Sequence, residues 1–273
     1  SGAIGEITPK TLTVSLVGVA RRAYDGTLAA TLTSDNYNLS GFAGDDRLTI
    51  TQTQGLYASK DVGTQISVSA ALSASNFAAS GTTLASNYVL PTTASGVIGD
   101  ITRKTLTVSL TGATSKVYDS TTAAQLSAGN FVFDGLVDGE SLSISQPGGT
   151  YASKNAGSQI IVTANVSPAD FTAGSGTLLT NYVLPSTTVS GAIGEITPKT
   201  LTVSLVGVAR RAYDGTLAAT LTSDNYNLSG FAGDDRLTIT QTQGLYASKD
   251  VGTQISVSAA LSASNFAASG TTL

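Results

Sequence analysis

The chain has 273 residues, 41% of them hydrophobic and only 12% charged, and it carries a formal net charge of −4 with no Cys, Met, Trp or His. Without His or Cys there is no Ser-His-Asp or Cys-His catalysis, no histidine or thiolate metal site and no disulfide framework. No basic cluster invites nucleic acid or anionic lipid, and no apolar run approaches the ~18 residues of a membrane-spanning helix.

Residues 190–273 reproduce residues 1–84 letter for letter, and residues 95–189 form a diverged copy between them. The landmarks Tyr24-Asp25, Tyr118-Asp119 and Tyr213-Asp214 mark a period of about 95 residues, which is domain-sized. The boundaries read as a closing strand of a preceding repeat over 1–7, then repeats over 8–102, 103–197 and 198–273. The third repeat lacks its own closing strand.

Within one repeat the first element is the alternation of Leu12, Val14 and Leu16 with Thr13 and Ser15, a half-buried antiparallel strand. Tyr24-Asp25-Gly26-Thr27 supplies turn chemistry, and Ser120 in place of Gly26 argues against a strictly left-handed backbone there. Tyr37-Asn38-Leu39 leads into the Gly- and Asp-rich loop at 41–46. Leu48 and Ile50 then alternate in a second strand, and Gln54-Gly55 reads as a turn before Tyr57. A third strand carries Ile66 and Val68, Phe77 falls in a polar connection, and Asn87-Tyr88-Val89-Leu90 starts a closing segment that ends at 96–101. The expected inward set is Leu12, Val14, Leu16, Leu48, Ile50, Ile66 and Val68. Turn signals every eight to twelve residues and no helical period predict an all-β fold, tandem immunoglobulin-like β-sandwich domains in an extended array. β-grasp-like modules are the alternative.

The candidate chemistry is carboxylate. Asp45, Asp46, Asp234 and Asp235, with Asp138 and Glu140 in the middle copy, lie in loops whose oxygens suit Ca²⁺; no other cofactor is implied. An ordinary acidic turn is the competing reading, since the spacing matches no calcium motif. Lys10, Lys60, Asp25 and Asn87 raise an intramolecular Lys–Asn amide, against the plainer reading of solvated lysines. Tyr24, Tyr57 and Tyr88 are expected to pack over the core edge with each hydroxyl on a nearby carbonyl. Exposed Tyr37 or Tyr226 offers a surface on which a sugar could stack. Asn38-Leu39-Ser40 and Asn165-Val166-Ser167 match the glycosylation acceptor pattern. No nucleophile, phosphate loop or dinucleotide fingerprint occurs, so an enzyme is not expected.

Together Ile7-Thr8-Pro9-Lys10, the Thr11–Val14 alternation, Tyr24-Asp25-Gly26-Thr27, Gly44-Asp45-Asp46, Tyr57-Ala58-Ser59-Lys60-Asp61-Val62-Gly63 and Asn87-Tyr88-Val89-Leu90 resemble the YDG-type repeats of filamentous haemagglutinin-like bacterial surface adhesins. The resemblance covers the whole chain three times, departing at Ser120 and at Arg103, which replaces the linker Pro. It implies a secreted or surface-anchored adhesin with these repeats as stalk or extracellular filament, and no catalytic residues. Low-affinity glycan- or matrix-binding repeats acting by avidity are the second reading. Partners are further copies of the repeat, in the same chain or head to tail. In the head-to-tail case Ser1, Gly2, Ala3, Ile4, Gly5, Glu6 and Ile7 of one molecule complete the next molecule's third repeat by strand exchange.

Overall fold

The structure, a computed structural model, describes residues 2–145 and 148–269. In the first repeat the strands are β1 (Lys10–Thr11), β2 (Thr13–Leu16), β3 (Ala20–Ala23), β4 (Ala29–Thr31), β5 (Tyr37–Ser40), β6 (Leu48–Ile50), β7 (Gln54–Tyr57), β8 (Gly63–Ala71), β9 (Phe77–Ala79), β10 (Tyr88–Val89) and β11 (Thr93–Thr102). Helical segments are single 3₁₀ turns, and no α-helix occurs among the described residues. The protein is all-β.

Five strands form a sheet in the order β3-β11-β8-β7-β4, and three pairs stand beside it: β1 with β10, β2 with β5, β6 with β9. Two pairings are parallel, β1 with β10 and β3 with β11; hydropathy alternation marks a strand but carries no direction. β11 holds the sheet together, meeting β3 in parallel through Gly99–Thr102 and β8 antiparallel along its length. Its glycines are required by space. A Cβ at Gly96 would lie 2.3 Å from the Leu16 carbonyl oxygen, and one at Gly99 would lie 2.8 Å from the Tyr57 ring.

The core of the first repeat is drawn from the inward rows of these strands, each buried aliphatic or aromatic side chain contributing about 1.5–3 kcal/mol. Leu12, Leu16, Leu48, Ile50 and Val68 are buried as expected, while Val14 and Ile66 are partly buried against them. Tyr24, Leu32, Tyr57, Phe77, Tyr88 and Ile101 complete the cluster.

Several expectations need correction. Phe77 is no connection residue: it opens β9 and is buried, because its partner Ile50 draws it into the inward row. Gln54 and Gly55 are strand rather than turn, the bare glycine letting β7 lie against Leu32 and β8. The closing segment is two elements, β10 and β11, in different sheets. Ser120 does take the left-handed conformation, φ 65°, as Gly26 and Gly215 do at 76° and 75°. Its turn is fixed from outside, since Asp119 Oδ1 accepts both the backbone N–H and the hydroxyl of Thr121.

The described residues form two compact units. One comprises 2–109, 131–145 and 166–187, the other 110–130, 148–165 and 188–269. The division runs through the second repeat. Its pairs Lys104–Thr105 with Tyr182–Val183 and Leu142–Ile144 with Phe171–Ala173 belong to the first unit. Its five-stranded sheet of Thr114–Val117, Thr187–Thr197, Gly157–Val166, Gly148–Tyr151 and Ala123–Gln125 belongs to the second. There it is joined by the third repeat's strands, including the three-stranded sheet of Ala218–Thr220, Gln243–Tyr246 and Val257–Ser258.

Candidate functional site

The recurring landmarks converge on a junction between successive repeats. Tyr24 follows β3 directly, its backbone N–H donating to the Thr102 carbonyl at 2.9 Å, so strand pairing aims the ring. Asp25 turns the chain away by accepting the Thr27 N–H and hydroxyl, both at 2.8 Å. The Tyr24 ring, 1% exposed, packs edge-on against Tyr182 of the second repeat, centroids 5.5 Å apart at 82°. Both hydroxyls donate to the Glu140 carboxylate, one to each oxygen. One side chain of the second repeat thus fastens a tyrosine of each repeat.

A second clasp lies alongside. Asn181, 1% exposed, donates to Asp61 Oδ1 at 2.9 Å and accepts the Val62 N–H at 2.9 Å. Lys60 pairs with Asp61 at 3.2 Å and stands 5.7 Å from the centre of the Tyr24 ring. A cation at that distance from an aromatic face is held by the ring quadrupole. At Gly26 a Cβ would meet Val137 Cγ1 at 2.7 Å, so the glycine serves both the left-handed turn and the close approach of the next repeat.

The electrostatics follow. Burial pushes the Tyr24 and Tyr182 hydroxyls above the ordinary tyrosine range, and their bonds to Glu140 push further. The Asn181 amide holds Asp61 below the usual carboxylate range, with Lys60 adding to it. The bond to Asp61, then that to Tyr24, raises Lys60. These groups lock rather than react: an ammonium held in its charged form is a poor nucleophile.

The second unit repeats the arrangement. Tyr118 donates to Asp235 Oδ2 at 2.7 Å, which lifts its hydroxyl above the usual range, and Ser120 stands against Gly233. Within the first repeat Asp46 accepts from Tyr88 at 2.6 Å and from Thr83 at 3.2 Å.

The structure therefore places the candidate carboxylates in two groups. Asp46, Glu140 and Asp235 are partly buried and take tyrosine hydroxyls, while Asp45, Asp138 and Asp234 are exposed. No group of three or more metal-ligating side chains occurs among the described residues. Of the proposed strand-exchange residues, Ser1 lies outside the described residues and Gly2–Ile7 carry no strand; Ile4 and Ile7 are 97% and 100% exposed. Lys10, Lys60, Asp25 and Asn87 are not brought together as a cross-linking set: the Lys10 ammonium reaches the Phe42 carbonyl, and Lys60 faces Asp61. Tyr57 bonds a carbonyl as expected, that of Ala20 at 3.0 Å, but Tyr24 and Tyr88 choose carboxylates. Tyr37 is half-buried on the Gln52 carbonyl and Tyr226 is buried, so neither offers an open ring. The residues missed, Asn181 and Tyr182, left a signal in the recurrence of Asn-Tyr at 87–88 and 181–182 without any local turn to explain it.

An all-β array whose shared landmarks fasten one repeat to the next is a tandem-repeat protein with a built junction. The chain belongs to the YDG domain family, whose model matches residues 8–95, 102–189 and 197–272. It has no match among curated proteins or solved structures.

Proposed function

We propose that this chain is a structural repeat segment of a secreted or surface-anchored bacterial adhesin of the filamentous haemagglutinin kind, serving as stalk or extracellular filament. The observation that carries this reading is the Tyr24–Glu140–Tyr182 junction: the motif residues common to the repeats are spent on holding neighbours together rather than on lining a site. A spacer needs that use of its side chains, because its work is to keep successive repeats in fixed register. The oxidation-resistant composition, without Cys or Met, supports a place outside the cell. We read each repeat as an immunoglobulin-like sandwich, supported by inward rows from the large sheet and the smaller pairs meeting in one core, with the parallel pairs as a departure. Display of one, two or three repeats beneath a tagged terminal domain tests the role. The tag's height above the cell surface should rise by a constant step per repeat. A height independent of repeat number would refute the spacer.

A further inference from the structure

The closing strand has a fixed place in the first two repeats. In the first, β11 lies between β3 and β8; in the second, Thr187–Thr197 lies between Thr114–Val117 and Gly157–Val166. The two parallel registers correspond, Gly99 opposite Ala20 and Gly194 opposite Thr114. In the third repeat no strand among the described residues fills that place. Residues 209–212, the counterpart of β3, form no strand, and only Val257–Ser258 remains of the counterpart of β8. A cavity of ≈ 940 Å³ opens between them, lined by Ala209, Tyr213, Tyr246, Ile255 and Val257. Tyr246 and Val257 are half-covered there, whereas Tyr57 and Val68 at the same positions are 2% and 1% exposed.

What fits the cavity is legible from what fills it elsewhere. Residues 190–197, the end of the second repeat's closing strand, read Ser-Gly-Ala-Ile-Gly-Glu-Ile-Thr, and residues 1–8 are the same eight letters. Ile196 and its counterpart Ile101 are each 1% exposed in their grooves, while Ile7 is bare. Gly194 lies so close under Tyr151 that a Cβ would meet the ring at 2.5 Å, and Gly99 stands likewise under Tyr57. Gly5, by contrast, has nothing within 4 Å. A segment with the composition of a groove-filling strand thus stands free, and a groove of matching residues stands open.

We propose that the open sheet of the third repeat is a strand-acceptor site and that residues 2–8 of a second copy are its ligand. The segment adds parallel to 209–212 and antiparallel to the strand at Val257–Ser258. Gly5 lies opposite Ala209 under the Tyr246 ring, Ile7 is buried, and Glu6 faces Arg210 as Asp100 faces Arg21 at 2.7 Å in the first repeat. Backbone hydrogen bonds supply affinity, and the glycine beneath the tyrosine supplies specificity. The contact is heterologous, so repeated copies extend without closing.

Sedimentation of the 273-residue chain over a range of concentrations tests this. Wild type should associate with rising concentration, and Gly5→Val should weaken association at least tenfold without lowering the melting temperature, since position 5 has open space in the free chain. A synthetic peptide of the 190–197 sequence should dissolve the assemblies and bind the Gly5→Val chain, whose groove is intact; the same peptide with valine for its second glycine should do neither. Association unaltered by Gly5→Val, or a chain that stays monomeric and ignores the peptide, would overturn the proposal. Neither result bears on the spacer reading, which concerns repeats joined within one chain.

Discussion

The first and third repeats share every letter over residues 1–84 and 190–273, yet they differ in structure. In the first, β3 and the nine-residue β8 are formed and Tyr24 is 1% exposed. In the third, residues 209–212 form no strand, β8 is reduced to Val257–Ser258, and Tyr213 is 62% exposed. The difference tracks two neighbours that local sequence cannot supply: a strand in the place of β11 and a carboxylate in the place of Glu140. Residues that can form a strand do so only when their backbone groups find a partner. Asn87 and Asn181 repeat the lesson, one exposed and one 1% exposed, according to whether a preceding repeat covers them.

The largest expected effect breaks the comparison at its core. Leu48 is 5% exposed, whereas Leu237, the same residue in the third repeat, is only partly buried. Leu48→Ala should destabilise by about 2–5 kcal/mol, and Leu237→Ala by clearly less, because a half-exposed site loses less transfer free energy and leaves a smaller cavity. Thr49→Ala, on the opposite face, should change little. Chemical denaturation followed by hydrogen exchange separates the three; equal losses for the two leucines would mean that identical repeats pack alike after all.

A smaller effect sharpens the role of the junction. Tyr24→Phe keeps the ring and removes the bond to Glu140, which leaves a partly buried carboxylate short of one donor. A hydrogen bond to a charged group is worth about 1.5–3 kcal/mol, and the loss should appear as lowered stability of the first unit. Tyr213→Phe, on an exposed ring, should be silent. If both substitutions were silent, the tyrosine would be filling space only.

Much of this was legible in the sequence, and the boundary has a physical reason. The repeat, the all-β class and most of the inward row follow from periodicity, because alternation places Leu12, Leu16, Leu48, Ile50 and Val68 on one face whatever the partner strand. Short strands such as β3, with the polar run Ala-Arg-Arg-Ala, carry no alternation and are made by β11 alone. The acids at 46, 140 and 235 were picked out as candidates for chemistry, but only the fold shows that tyrosines take them. A tyrosine and a carboxylate 116 positions apart leave no local pattern.

The smallest effect is graded by pH. Burial and the bond to Glu140 raise the Tyr24 and Tyr182 hydroxyls above the tyrosine value of about 10. Below that pH both the folded and the unfolded chain keep these protons, and the junction contributes fully. Above it the unfolded chain gives them up first, so it binds fewer protons than the native state and stability falls as pH rises towards the folded values. Each group should contribute a slope of about 1.4 kcal/mol per pH unit within that window. Unfolding free energies of the first unit measured between pH 9 and 12 should therefore fall with a steepening slope. Tyr24→Phe should remove one tyrosine's share of it while Tyr213→Phe leaves it unchanged. A Tyr24→Phe chain with the full wild-type slope would place the alkaline sensitivity elsewhere and cut the link between the buried junction and the exposed tyrosine of the third repeat.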